Sequence, residues 1–533
     1  MNLLTAPWIP VLTASGQRGS IRVAALTSPE DAPVALAADR PDFNAALAQF
    51  LVTLLQYAFA PETEDEWRKW LHAPPAPDEI DLALAVLHDG FELEGDHPFM
   101  QDPALGIDSS EARPLEALLL ESPGENALKN NTDLFIKRQA AEPWEPVRAA
   151  LALLTLQINA PSGGQGHRTS LRGGGPLTTL LWPDTIIGRD GNRRPATLWQ
   201  RLWCNVLPSN DPLPPDHHIA LPWTADCITS EGGRTVLEGW PRAPTQNERN
   251  ALCGFATPRR ILLRWEGEGD ERRCIGYITR NYGANYPSDQ FSHPASPYYR
   301  DAKKARLPQH IGEAGFSYQH FTSYCTLPSR REEAPSESSA IVAHALESAE
   351  RREALGDTAS LWACGYAMDN MKVLAWHEAH YPLFPHVPEA RRVAMWLEAD
   401  KLVRASDNAE SQLGKSIRKL GGDARLAIRG LRDQTEAAFY TALNTIACDT
   451  SAEQRFAQRG RWLQLLLRVV MHQFAAHAER SVDAQSRLDH VEAAAKERLL
   501  LWRSLNKDLH GALEIKMGKP APSPTPASSE ETA

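Results

Sequence analysis

Hydrophobic and polar positions run with two different periods along this chain, and the switches between them predict its elements. In residues 3–25 apolar and polar positions alternate between Pro and Gly turns, which predicts one or two strands. Residues 42–60, DFNAALAQFLVTLLQYAFA, are apolar on nearly every face and predict a helix at the centre of a core. Two amphipathic helices are predicted over 63–73 and 78–92, separated by the prolines at 74, 75 and 77. Another is predicted over 145–160. Residues 260–265 and 274–279 alternate about a charged, glycine-containing connection and predict a paired hairpin. The aromatic, turn-rich stretch 281–299 predicts irregular chain. After a polar break at 328–338 the pattern predicts a helix over 340–354. Residues 361–374, LWACGYAMDNMKVL, then bring a small-residue turn and the quartet Met368-Asp369-Asn370-Met371.

Four apolar-periodic segments follow, over 388–420, 423–448, 452–480 and 484–510. Their breaks are marked by Gly421-Gly422, Asp449-Thr450-Ser451 and Ser481-Val482-Asp483. Short connections between long amphipathic helices predict an antiparallel bundle, with the apolar runs 462–470 and 499–502 lining its interior. The remaining tail is rich in Pro, Ser and Ala and predicts disorder. The expected fold class is therefore α+β. A large mixed N-terminal domain over 1–387 precedes a C-terminal antiparallel four-helix bundle over 388–510 and a disordered tail over 511–533. At 533 residues the chain is too long for one hydrophobic core.

Charge narrows the function classes. A net charge of −11 argues against a protein that coats nucleic acid over its whole surface. Residues 388–510 nevertheless hold 20 Lys and Arg against 16 Asp and Glu, so a polyanion would bind through local patches or through this C-terminal region. The start, MNLLTAPWIPVL, has no basic region or cleavage-type site and predicts no signal peptide. No apolar run reaches the roughly 20 residues that span a bilayer. The expected location is cytoplasmic, with no membrane partner. Seven dispersed cysteines without a CxxC pair predict reduced, mostly buried thiols and no structural metal site.

Candidate chemistry centres on residues 162–182, SGGQGHRTSLRGGGPLTTLLW, where six glycines surround His167, Arg168 and Arg172. Without a Cβ, glycine backbone approaches another molecule closely; with guanidinium groups beside it, such a loop suits an anion or a nucleic-acid groove. In the polar loop 124–143, Phe135, Lys137 and Arg138 combine a stacking ring with phosphate-seeking cations. His97, beside Pro98 and Phe99, has no second ligand at helical or hairpin spacing and is assigned a structural role. The chain carries no GxSxG elbow, GxxxxGK[ST] loop or HExxH motif. Gly163-Gly164-Gln165-Gly166 does not fit the dinucleotide fingerprint. The expectation is a protein that is not an enzyme and needs no cofactor or metal. A hydrolase or phosphotransferase using His167 and Arg168 is the alternative, and a scaffold that touches no DNA is the third class.

Several blocks in order carry a resemblance. They are Met1-Asn2-Leu3-Leu4 with Trp8-Ile9-Pro10-Val11, His97-Pro98-Phe99-Met100-Gln101, Leu171-Arg172-Gly173-Gly174 with Pro176 and Thr178-Thr179, His293-Pro294 with Ser296-Pro297, and Gly365-Tyr366 with the Met368–Met371 quartet. With the closing bundle, the chain resembles the large subunit of the type I-E CRISPR surveillance complex Cascade, the CasA family, over residues 1–510. The resemblance implies a non-enzymatic subunit that inspects double-stranded DNA for a protospacer-adjacent motif (PAM) from the minor-groove side. It also implies help in opening the duplex for the guide RNA and recruitment of a helicase-nuclease, with the other Cascade subunits and the guide RNA as partners.

Three elements follow from the same resemblance. A glycine loop against the minor groove corresponds to Gly163, Gly164, Gln165, Gly166, His167 and Arg168; Gln165 and His167 interrupt the family's glycine run. A wedge that splits the first base pairs corresponds to Asp369, Asn370 and Met371. A basic residue reaching the groove corresponds to Arg280, and Phe135, Lys137 and Arg138 fall where the family has a loop that docks on the complex and touches DNA.

Overall fold

The computed structural model describes residues 1–106, 112–122, 143–164, 166–214, 216–327, 336–357, 359–369, 372–479 and 488–516. Phe135, Lys137, Arg138, Gln165, Asn370, Met371 and the tail from 517 lie outside the described residues. Helix and strand are mixed along the chain, and the long C-terminal helices form a bundle. The chain divides into two compact units, one of Met1–Phe316 with Ser323–Pro388, the other of Ser317–Thr322 with the chain from Glu389 on.

The first unit is organised around the helix Pro41–Phe59. Pro41 stands in its first turn, where the missing N–H leaves no helical bond unmade. The helix has no polar face to show to water, and it is buried on nearly every side from Phe43 to Phe59. Phe50 meets the rings of Trp8, Phe91, Phe99 and Phe255 at centroid distances of 5.5, 6.1, 5.8 and 5.9 Å. Phe99, Met100 and Gln101 are thus core residues, while His97 is exposed. Gln101 Oε1 accepts from Leu263 N at 2.8 Å and so ties this block to the hairpin Arg260–Glu266/Arg273–Arg280, which pairs antiparallel.

A three-stranded antiparallel sheet packs nearby. Its middle strand, Ser360–Asp369, lies between Thr178–Leu181 and Lys372–Pro382. The stretch that carries the Met368 quartet is therefore the end of a long β-hairpin, with a bulge between Ala367 and Met368. The predicted helix over 340–354 is two helices, Ala340–Glu347 and Ala349–Leu355. They meet at Ser348, whose extended backbone ends one and whose Oγ accepts from Arg351 N at 3.2 Å to start the other.

Arg172 sits where the buried helix, the sheet and the 293–297 turn come together. Its side chain was expected to face an anion; instead it is only 3% exposed. Nη1 donates to Ser296 Oγ at 2.8 Å, Thr178 Oγ1 at 3.0 Å and Leu177 O at 3.3 Å, and Nη2 donates to Gln49 Oε1 at 2.7 Å. Desolvation pulls the guanidinium down to about 10. His293 is buried beside it, and Ala295 N–H donates to its Nδ1 at 3.1 Å. Burial, reinforced by the Arg172 charge, holds this imidazole well below 6.5.

In the second unit the helices Glu389–Lys419, Arg425–Cys448, Ala452–Phe474 and Leu488–Ala512 form the bundle. The first and last run antiparallel, because Lys401 pairs with Glu514, Gln412 with Asp508 and Ser416 with Glu497. Tyr318 enters this core, its OH within 3.0 Å of Ser406 Oγ and 2.9 Å of Thr435 Oγ1 and its ring 4.8 Å from that of Phe439. The run 462–470 lines the interior through Trp462, Leu463, Leu466, Val469 and Val470. The run 499–502 does so only through Leu501; Leu499 and Trp502 are 61% and 49% exposed, since the inward face follows Ala494, Leu501, Leu505 and Leu509 at helical spacing.

Two outcomes follow. Arg172→Met removes the donor to Gln49, Thr178, Ser296 and Leu177 O, leaving Gln49 Oε1 only the Thr178 hydroxyl at 3.2 Å and Leu177 O only the Ser296 hydroxyl at 3.0 Å. It should cost about 3 kcal/mol in chemical denaturation, and Arg172→Lys should not restore it, because an ammonium lacks the guanidinium fork. The His293 shift sets a pH dependence. Stability is complete above about 6.5, where folded and unfolded imidazoles are both neutral. Below that value the unfolded chain takes up a proton that the folded site refuses. Denaturation midpoints measured from pH 7.5 to 5 should therefore fall, by at most about 1.4 kcal/mol per pH unit from this group, and His293→Gln should flatten that part of the curve.

Candidate nucleic-acid interface

The glycine loop is delivered by the helix Pro146–Asn159. Gln157 clamps the helix end from inside the unit: its Nε2 donates to Met100 O and Arg259 O, both at 3.0 Å, and its Oε1 accepts from Arg259 N at 3.0 Å. The Arg259 guanidinium, pulled down to about 10 by burial, donates to Pro161 O. It occupies the space a side chain at Gly163 would need, with Nη1 2.5 Å from where a Cβ would stand.

Beyond that base the chain turns on two left-handed glycines, Gly164 at φ +89° and Gly166 at φ +78°. His167 N donates to Gly164 O at 3.2 Å and closes the turn. The glycines then play different parts. A Cβ on Gly164 would meet nothing within 4 Å, whereas one on Gly166 would lie 2.9 Å from Tyr282 N. Gly166 O accepts from Tyr282 N at 2.8 Å and from Gly283 N at 3.3 Å. Arg168 Nε donates to Ser230 Oγ at 2.8 Å, and Ser230 N donates to Tyr282 O at 3.2 Å. The loop is thus docked on the chain leaving the strand Arg273–Arg280. Arg280, exposed at the end of that strand, stands two residues before the contact.

The second glycine run joins the loop to the hairpin. Gly175, at φ +62°, lies so close to the strand Ser360–Asp369 that a Cβ would come 2.7 Å from Tyr366 O and 2.8 Å from Met368 Cγ. At Gly174 a Cβ would be 3.5 Å from Met368 Sδ and 3.1 Å from Pro161 Cα, at the base of the loop. The hairpin itself is anchored below this contact. Tyr366 OH donates to Asp42 Oδ2 at 2.5 Å, and Arg40 holds the same carboxylate through Nε and Nη2, each at 3.0 Å. Burial and the neighbouring carboxylate raise the Tyr366 hydroxyl, which keeps its proton for this bond. Asp369 lies at the exposed end of the strand, paired across the ladder with Lys372.

The structure therefore links Gly163, Gly164, Gly166, His167 and Arg168 to the Arg280 strand end on one side, and through Gly174 and Gly175 to Asp369 on the other. Sequence reasoning missed four of the residues that make these joints, Gln157, Ser230, Arg259 and Tyr282, and named Met368 only as part of its quartet. Only Tyr282 left a trace, in the Asn-Tyr-Gly that ends a predicted strand; its φ of +61° is one that non-glycine residues seldom adopt.

Among the described residues no group of three or more His, Cys, Asp and Glu is placed to hold a metal ion, and no helix is long and apolar enough to cross a membrane. All seven cysteines are free thiols, five of them buried. The solved structures of Thermobifida fusca Cse1 and Thermus thermophilus CasA (Cse1) share this fold. The first is 17% identical, with 97% of this chain and 98% of that one covered at a TM-score of 0.68. The second is 20% identical, with 95% and 99% covered at 0.65. A chain of a CRISPR RNA-guided surveillance complex is similar at 14% identity, 94% and 99% coverage and a TM-score of 0.66. The family model for the CRISPR-associated protein Cse1 matches residues 2–473, so the glycine loop, the strand end at Arg280 and the hairpin all fall within it, and the chain belongs to the Cse1 family.

Proposed function

We propose that this chain is a non-enzymatic subunit of an RNA-guided CRISPR surveillance complex, working in the cytoplasm beside the guide RNA and the other Cascade subunits. It reads the PAM in double-stranded DNA, helps open the duplex and recruits the helicase-nuclease. Membership of the Cse1 family and likeness to a chain of a surveillance complex support the assignment to such an assembly. The observation that carries the DNA-reading part is the junction at Gly174 and Gly175, where the glycine loop and the hairpin share one support.

Gly164 offers bare backbone with open space above it. The minor groove is narrow and its hydrogen-bonding pattern degenerate, so a loop of this kind discriminates by closeness: the amino group of a G·C pair meets backbone where an A·T pair leaves room. Arg280 supplies a cation at the strand end, and His167 flanks the turn. The hairpin provides the wedge. Asp369, Asn370 and Met371 are its residues; Asp369 ends a strand paired with Lys372–Pro382 and anchored by the Tyr366–Asp42 bond, and a wedge works against an unstacking cost of a few kcal/mol per base step. Phe135, Lys137 and Arg138 are assigned to docking and DNA contact. The hydrolase alternative is disfavoured by Arg168, whose Nε is committed to Ser230.

Two glycine variants separate reading from folding. Gly164→Leu places its side chain in open space and costs roughly 1–2 kcal/mol of backbone strain. The complex carrying it should assemble and yet bind PAM-bearing duplex at least tenfold more weakly in an electrophoretic shift. Gly166→Leu drives into Tyr282 and should in addition lower the melting temperature clearly more than Gly164→Leu does. Equal PAM binding by wild type and Gly164→Leu contradicts the groove-reading role. For the wedge, Asn370→Ala with Met371→Ala should leave initial duplex binding in place and slow strand opening at least tenfold, read by 2-aminopurine fluorescence; unchanged opening removes the assignment.

A further inference from the structure

Between the second glycine turn and the far end of the strand Ser360–Asp369 lies a cleft of about 190 Å³. At roughly 30 Å³ per water this is space for about six waters, or for one flat ring system. Ser162 and Thr169 line it from the glycine loop, together with Gly174, Gly175, His310 and Met368. His310 is held in place from the backbone: residues 309 and 310 run antiparallel to 176 and 177, with Leu177 N donating to Gln309 O at 3.2 Å. Its Nδ1–H donates to Gly175 O at 3.2 Å. Neither the family resemblance nor the wedge and groove contacts above assign a role to Ser162, Thr169 or His310.

The chemistry of the lining selects the occupant. Among the described residues no Lys, Arg, Asp or Glu lines the cleft, so it offers nothing to neutralise a phosphate. Two hydroxyls, each able to donate and accept, face a polar edge. The Met368 thioether suits the face or rim of an aromatic ring. A neutral, planar, polar-edged ligand is a nucleobase. Strand separation next to the hairpin tip produces unpaired bases beside this cleft, and an unstacked base costs free energy unless it is captured.

We propose that this cleft receives one unpaired nucleobase of the opened duplex, with Ser162, Thr169 and His310 meeting its edge and Met368 its face. The proposal rests on the strand-opening reading of the preceding section. Hydroxyls that both donate and accept give capture with little base preference, so the cleft holds the strands apart without adding to PAM choice.

The test uses the full chain in a reconstituted surveillance complex with guide RNA. Target duplexes carry a thymine at each of the first three positions beside the PAM, one strand at a time, and are probed with permanganate, which oxidises exposed unstacked thymines. In the wild type, one position should be at least fivefold less reactive than its opened neighbours. With Ser162→Ala and Thr169→Val together, or with Thr169→Met filling the cleft, that position should become as reactive as its neighbours. Uniform reactivity in the wild-type open complex, or protection that survives both variants, overturns the cleft assignment while leaving PAM reading intact. Opening that does not depend on the PAM at all overturns the underlying reading instead. Should the double variant melt early, Thr169→Val alone gives the same comparison.

Discussion

A single buried guanidinium bears on every part of the candidate interface. Arg172 donates to a glutamine on the central helix, to a threonine and a carbonyl where the sheet begins, and to a serine of the 293–297 turn. All of these partners are neutral. A buried charge with neutral acceptors is costly to desolvate, and what offsets that cost is the full use of the fork. The arrangement sets position: residues 173–175 leave this anchor in one direction only, and the strand Thr178–Leu181 begins directly after them.

From that anchor the geometry propagates through backbone more than through side chains. Gly174 and Gly175 carry no Cβ, so the Met368 segment of the hairpin settles onto their main chain, and Pro161 reaches the same place from the loop side. Glycine at these positions serves internal packing, whereas at Gly164 it leaves a surface bare. The distinction matters because both kinds of glycine stand within one dozen residues of sequence. Only the space above each tells which one is packed and which one lies open. Stiffness comes from elsewhere, from the ladder of the hairpin and from the Arg40–Asp42–Tyr366 chain beneath it.

Much of the scaffold was legible in the chain. The nearly all-apolar run 42–60, the alternation of the 260–280 hairpin and the apolar periodicity of the C-terminal helices each encode one element through side-chain period. The hairpin at 360–382 was not, because Leu361 to Ala367 is apolar throughout. A middle strand covered on both faces shows no alternation, and Asp-Asn carries no turn signal as strong as Asn-Gly. Arg172 misled for a related reason. Beside glycines it resembled a surface cation, and its partners, Gln49 and Ser296, are more than a hundred residues away in either direction. The loop's glycines stand out in the sequence as close-approach positions, but the division between Gly164 and Gly166 depends on Tyr282, which no local pattern connects to them. The exposed Leu499 and Trp502 mark the same limit: an apolar run names a helix, and its rotation is decided by the neighbours.

The most direct test of the account is equilibrium binding of guide-loaded surveillance complex, with and without this chain, to short duplexes that differ only in the PAM. The account predicts that the complete complex favours PAM-bearing duplex by at least tenfold, that this preference disappears without the chain, and that the affinity lost is salt-dependent, as expected when phosphate contacts are removed. Equal PAM preference in the complex lacking the chain would contradict it.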